Sequence, residues 1–301
     1  MREPFSLLLA VHGGDRPDYL REAFRSSVDH QSRRPDQVVV VRDGPVPDHL
    51  ARCLDELIAG TPVPVTLVTL ERNGGLGPAL DAGLRASHHD VVARMDADDV
   101  SKPMRFEVQM PLIEEGADIV GSALLEFRND PTDPGDLVGR RTPPCDPEEI
   151  VRSSRFLDPF NHPTVIYRRS AVLAAGGYGD LPLMEDYWLF ARMLANGARP
   201  ANLAEPLVYY RVGDGAYGRR GGMRLLRSEL SLQRRLRAEG FTTRAQYLRN
   251  VAMRGGYRLL PETLRRAIYR RLIATYGERH GRAPESGNGV SSSPQRVRDP
   301  R

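Results

Sequence analysis

Residues 5–11, Phe-Ser-Leu-Leu-Leu-Ala-Val, and 37–41, Gln-Val-Val-Val-Val, are nearly unbroken apolar runs without the in-out alternation of a half-solvated strand. Strands of this kind are buried on both faces, as in a mostly parallel sheet covered by helices. The segments between them agree. A helix is expected over 17–31, with Tyr19, Leu20, Ala23, Phe24 and Val28 at helical spacing, and another over 47–59. A strand at 63–69, a helix ending at Ala86 and a short strand at 90–94 continue the alternation. After Asp99 the rhythm changes. We expect a helix over 103–115, a strand pair within 118–127, a polar Pro-rich loop over 129–147 and a strand at 164–168. A helix over 184–196 and short strands within 200–210 follow. Beyond Gly222 only helical patterns occur: Leu226/Leu230, Leu232/Leu236, Leu248/Val251/Ala252 and Leu264/Ile268/Leu272. Residues 283–301, rich in Ser, Gly, Pro and charge, have the composition of a disordered tail.

Charge is segregated along the chain. Residues 1–218 hold 23 basic and 33 acidic residues, a net of −10, whereas 219–282 hold 17 arginines against four glutamates, a net of +13. An acidic body of this kind repels phosphates, so a nucleic-acid-binding protein is not expected. The basic segment instead suggests an anionic membrane surface or the acidic body itself as its partner. Cys53 and Cys145 are too few and too distant for a disulfide framework, which fits a reducing compartment. Met1–Ala10 does not read as a signal peptide, and no stretch reaches the ~18 apolar residues of a membrane span. The expected location is cytoplasmic.

The chemistry-bearing residues follow strands. Asp96-Ala97-Asp98-Asp99 comes directly after the strand Val91–Arg94, and its three carboxylates repel one another unless a cation is present. Oxygen ligands select Mg²⁺ or Mn²⁺, which also bind substrate phosphates. A solvated acidic turn is the simpler reading, and an aspartyl-phosphate phosphatase using Asp96 and Asp98 is another, with Lys102 as the lone lysine that could serve it. Asp43, at the tip of the second strand, suits either a ligand contact or a helix cap. Asn73-Gly74-Gly75-Leu76-Gly77 has the look of a phosphate cradle but lacks the full dinucleotide pattern. Glu185-Asp186 opens a helix, where acids also complement the dipole. Asn161-His162-Pro163 reads as a turn or as a polar ligand.

Taken in order, Ser6-Leu-Leu-Leu-Ala-Val, Val38-Val-Val-Val-Arg-Asp43-Gly-Pro, Arg72-Asn73-Gly-Gly-Leu-Gly, Ala93-Arg-Met-Asp96-Ala-Asp98-Asp99, His162-Pro-Thr and Gly176-Gly-Tyr with Glu185-Asp186-Tyr-Trp resemble the family 2 glycosyltransferases of bacterial exopolysaccharide type. The resemblance covers about residues 4–212. It departs at His12-Gly13, where Tyr-Asn is usual, and at Arg42-Asp43, where an acid pair is usual. It implies an α/β GT-A fold, a Rossmann-like mixed and mostly parallel sheet with helices on both faces, to which the helical patterns beyond Gly222 add a C-terminal helical extension. It also implies an inverting enzyme that moves a sugar from a nucleotide-diphosphate donor, most readily a UDP- or dTDP-sugar, to a glycan, lipid-linked or small-molecule acceptor. In that reading Asp96 and Asp98 hold the ribose and a Mn²⁺ or Mg²⁺ ion, Asp43 contacts the base, and Asn73 and Arg94 line the donor pocket. Asp186 of the Glu185-Asp186 pair is then the general base. The expected division is a catalytic domain over 1–218, a basic helical extension over 219–282, set at the inner face of the cell membrane, and a tail over 283–301. A non-enzymatic protein that binds anionic surfaces through its arginines is the remaining alternative.

Overall fold

The computed structural model describes residues 2–213 and 223–256. Its first half alternates strictly: β1 (Phe5–His12), α1 (Pro17–Ser27), β2 (Gln37–Asp43), α2 (Asp48–Gly60), β3 (Val65–Thr69), α3 (Leu76–Ala86) and β4 (Val91–Met95). These four strands are parallel in the order β3-β2-β1-β4. Because side chains alternate along a strand, β1 feeds two cores. Leu7 and Leu9 meet Leu20 and Phe24 of α1 and Leu50 and Leu54 of α2. Leu8, on the other face, packs with Leu80 and Leu84 of α3.

The second half is mixed. It comprises β5 (Val100–Ser101), α4 (Arg105–Glu114), β6 (Ile119–Phe127), β7 (Leu137–Arg141), α5 (Pro147–Ser153), β8 (Ile166–Arg168), α6 (Arg169–Ala174), α7 (Glu185–Ala195) and β9 (Pro200–Arg211). The sheet continues from β4 through β8, β6 and β9 to β5, with β7 flanking β6. The mixed, largely parallel sheet between helices is the one expected.

Several local expectations need correction. α1 stops at Ser27 because the buried Gln31 side chain folds back, donating to the carbonyl of Ser26 at 2.6 Å and to that of Lys102 at 2.8 Å. The strand pair expected within 118–127 is a single strand, β6; its partner β7 lies inside the segment expected to be a loop, with Leu125 opposite Arg140. The short strands of 200–210 are one strand, β9, whose register against β6 slips around Pro206, a residue with no N–H to donate.

Two further helices are α8 (Met223–Ala238) and α9 (Arg244–Asn250), the latter opened by a Thr243–Gln246 capping box. α8 lays Leu225, Leu232 and Leu236 on Tyr187 and Ala191 of α7. Leu248, on one of the helical stripes, is 64% exposed. The stripe Leu264/Ile268/Leu272 and the 283–301 tail lie outside the described residues.

Candidate active site at the carboxyl ends of the parallel strands

The register of the sheet sets the site. His12 pairs with Asp43, so β1 and β2 end side by side, and β4 delivers Asp96–Asp99 next to them. Ligands in open α/β sheets sit at such strand ends. Asp43 is nearly buried, and its two carboxylate oxygens accept from the backbone N–H of Gly74 at 2.7 Å and of Gly75 at 3.0 Å. It is no cap for α2, whose N-cap position is Pro47. Nor is 73–77 a phosphate cradle, since the amides of Gly74 and Gly75 are already taken by Asp43. Asn73 is exposed on this loop. The loop also touches the second acidic pair: a Cβ on Gly77 would lie 3.5 Å from the Cβ of Glu185.

Arg94 is the buried hub. Its guanidinium forms a bidentate pair with Asp96, with Nη1 at 2.7 Å from Oδ2 and Nη2 on Oδ1. Glu185, Asp186, Asp98 and Asp99 each feel the charge of Arg94. Asp98 reaches solvent, yet the protein around it, then the charges of Asp96 and Asp15, push its carboxyl up to about 6. Asp99 is fully buried and held well above the usual carboxylate range by that burial, then by Asp96 and Asp98. One of its oxygens accepts from the N–H of Arg211 at 2.8 Å, and the other has no hydrogen-bond partner. Arg211, at the end of β9, donates to the carbonyl of Asp98, pairs with Glu22 and lies over Tyr19 and Phe127. The acidic turn is therefore braced from the end of β9, three strands away from β4.

Glu185 and Asp186 form the first turn of α7. They follow Leu183, a non-glycine residue at φ 71°, a conformation that costs about 1–2 kcal/mol and tends to persist at functional sites. Burial, then the charge of Asp186, push Glu185 up to about 7, and its Oε2 is buried without a partner. Asp186 is also raised, chiefly by burial. Its Oδ1 accepts from the N–H of Tyr187 at 2.7 Å.

The fold and this constellation have relatives. The description "Glycosyl transferase family 2" matches residues 6–175. An uncharacterized glycosyltransferase of Haemophilus influenzae is 39% identical over 274 residues, 89% of this chain and 98% of that one. The chain belongs to glycosyltransferase family 2. This transferase is also 33% identical, over 90% of its length and 97% of the other's, to a UDP-Gal:alpha-D-GlcNAc-diphosphoundecaprenol beta-1,3-galactosyltransferase of Escherichia coli. Among solved structures, a mannosyltransferase of Pyrobaculum calidifontis in complex with GDP-Man and Mn²⁺ shares the fold, with a TM-score of 0.60 and 15% identity over 94% of this chain and 77% of that one.

Asp15 escaped the sequence reading of this transferase, and the role of His162 was left open. Asp15, in the loop after β1, sits close enough to Asp96 and Asp98 to act on both electrostatically, and burial raises its own carboxyl. Its position two residues after the unusual His12-Gly13 was a signal. His162 was read as a turn or a ligand; it stands 3.6 Å from Asp186. Lys102, which a phosphatase would need beside the aspartates, lies over the ring of Tyr209, and that reading has no support.

Among the described residues no group of three or more His, Cys, Asp or Glu side chains is arranged to hold a metal alone. A Mg²⁺ or Mn²⁺ ion that bridges substrate phosphates needs only one or two protein carboxylates. Asp98 fits that role: it is solvent-accessible and crowded by Asp96 and Asp15, a repulsion that a divalent cation would relieve.

Proposed function

We propose that this transferase moves a sugar from a nucleotide-diphosphate donor to a hydroxyl of a lipid-linked or other glycan acceptor, with inversion at the anomeric carbon. The observation that carries the reading is the convergence of Asp96–Asp98 and Glu185–Asp186 around the buried Arg94 at the carboxyl ends of the parallel strands. Asp98, with Asp96, would hold the donor's ribose and a divalent ion, which supplies charge neutralisation for the departing diphosphate. Arg94 fixes the Asp96 carboxylate and contributes positive charge beneath the same group. Asp43 organises the Asn73–Gly77 loop, and in this reading also faces the donor base, with Asn73 beside it.

Asp186 is assigned as general base. A base must accept the hydroxyl proton as the acceptor attacks from the face opposite the leaving group. The raised affinity of Asp186 for a proton, caused by burial, suits that task. The UDP-Gal donor and diphosphoundecaprenol-linked acceptor in the name of the Escherichia coli relative support a UDP-sugar and a lipid-linked glycan here.

The reading divides the chain into a catalytic domain over 1–218, a basic extension over 219–282 and a tail over 283–301. It sets the extension on the anionic inner face of the cell membrane. In support, Arg224, Arg227 and Arg234 of α8 are exposed, as are Leu248 and Met253 beyond it. No helix among the described residues is long and apolar enough to cross a membrane, so attachment would be peripheral.

The test is nucleotide release from a panel of UDP-, dTDP- and GDP-sugars with Mn²⁺, with and without a GlcNAc-diphospho-lipid acceptor. Asp186→Asn should lower transfer by roughly 10²–10⁴-fold with donor affinity unchanged. Near-normal transfer by that variant would move the role to another residue, and no release from any donor would reject the reading.

A further inference from the structure

His162 opens the short turn His162–Thr164 that leads into β8, and its ring is nearly buried, edge-on to Phe190 at 5.8 Å between centroids. Its two nitrogens face different groups. Nε2 lies 2.8 Å from the hydroxyl of Tyr178, which lies 3.3 Å from the hydroxyl of Tyr167. Nδ1 faces Oδ2 of Asp186 at 3.6 Å. Burial, then the charge of Arg94, hold the imidazole well below its ordinary value, so at neutral pH it carries a single N–H.

With Asp186 ionised, as its assignment as the base requires, only one placement of that proton suits all neighbours. If Nε2 carried it, the bare Nδ1 lone pair would point at an ionised carboxylate. If Nδ1 carries it, Tyr167 donates to Tyr178, Tyr178 donates to Nε2, and Nδ1–H is aimed at Asp186. Each bond in such a chain polarises the next in the same direction. At 3.6 Å the last link is not yet a hydrogen bond, and about 0.7 Å of side-chain movement would close it. Catalytic hydrogen bonds are often long before substrate is bound.

We infer that His162, supported by Tyr178 and Tyr167, is a positioning residue that grips Oδ2 of Asp186 and leaves the carboxylate's remaining lone pairs turned toward the acceptor hydroxyl. This inference rests on Asp186 being the base. Oδ1 is already fixed by the N–H of Tyr187. With Oδ2 held by His162, both oxygens are oriented and the carboxylate cannot spin about its Cβ–Cγ bond during transfer. The logic is that of a carboxylate and imidazole oriented as a unit, here with the carboxylate as the reacting partner and the imidazole as its holder.

Two measurements test it on the full-length protein. The ¹⁵N resonances of the His162 ring, assigned by their loss in His162→Gln, should report the Nδ1–H tautomer at pH 7.5; an Nε2–H tautomer overturns the inference without any assay of activity. The second is a comparison of variants in the donor-turnover assay. The amide nitrogen of Asn occupies the place of Nδ1, and that of Gln the place of Nε2. His162→Ala and His162→Gln should each lower kcat about 10- to 100-fold with donor KM unchanged, the usual value of a hydrogen bond to a charged group. His162→Asn should recover most of that loss, and Tyr178→Phe should cost only about 3-fold. Equal losses in the Asn and Gln variants, or a loss seen in KM alone, would mean that His162 merely packs. Should Asp186→Asn retain transfer, it is the assignment of the base that fails, and the tautomer measurement still stands on its own.

Discussion

Glu185 offers a test of the site's electrostatics that needs no substrate. Its carboxyl has an ordinary value of 4.5 and is pushed up to about 7, first by burial and then by Asp186. Between these two values the folded protein keeps a proton on Glu185 that the unfolded chain has released. Stability from this group is therefore complete below pH 4.5 and declines as pH rises through 7, the reverse of a salt-bridged carboxylate. At about 1.4 kcal/mol per pH unit the loss across the window is about 3 kcal/mol, and about 2 kcal/mol if Asp186 shares the proton. Glu185→Gln removes the titration. It also places an amide N–H₂ where Oε2 has no partner, a penalty of about 1–3 kcal/mol that does not depend on pH. The informative quantity is thus a double difference. Urea denaturation of both proteins at pH 5 and pH 8, in EDTA, should show the variant gaining about 2–3 kcal/mol on wild type between the two pH values. In a thermal melt this is about 4–6 °C for a chain of this size. An identical stability difference at both pH values would refute the picture of Glu185 as a buried, proton-holding acid.

Other perturbations follow from the same geometry. Asp98→Asn should abolish Mn²⁺-dependent binding of a nucleotide sugar in calorimetry while the fold persists, because a neutral amide is a poor ligand for a hard cation; unchanged metal dependence would move the ligand elsewhere. Gly44→Ala should destabilise by about 2–4 kcal/mol, since Gly44 sits at φ 82° and the added Cβ would collide with the backbone N of Asn73; a melting temperature within a degree of wild type would contradict this. Asp43→Asn should cost about 1.5–3 kcal/mol by weakening the bonds to Gly74 and Gly75, measured by denaturation without donor. Full-length protein should float with phosphatidylglycerol vesicles and not with neutral ones, and high salt should release it; indifference to anionic vesicles at low salt would make the extension purely structural.

The parallel half of the fold was legible because its signals are local. Val38–Val41 is apolar on both faces and wholly β-branched, which suits a doubly covered strand. The acidic turn and the Glu185-Asp186 pair were legible for a similar reason, as unusual residues at the ends of recognisable elements. What escaped depends on partners far along the chain. β7 was hidden because Leu137–Arg141 is short and flanked by prolines, and only β6 gives it a reason to extend. The bonds of Asp43 reach 31 and 32 residues ahead, so no local pattern separates a ligand contact from a loop brace. The facing of Asp186 and His162 is of the same kind.

The basic extension shows why composition alone left two fates open. Its net charge could have neutralised the acidic body or faced outward, and α8 does some of each. Leu225, Leu232 and Leu236 turn its apolar stripe onto α7, so this helix is not available to lie in a lipid interface. The buried Glu229 within that stripe is met by Arg254 at 3.0 Å, and Arg235 lies over the ring of Trp188 at 4.1 Å, so part of the positive charge is consumed inside the contact. Arg224, Arg227 and Arg234 remain outside. A helix whose apolar face is docked and whose arginines point to solvent attracts an anionic surface by charge without inserting into it. Binding of that kind weakens steeply with salt, and under the proposed function it would hold α7, with Glu185 and Asp186 at its start, beside the surface on which a lipid-linked acceptor would lie.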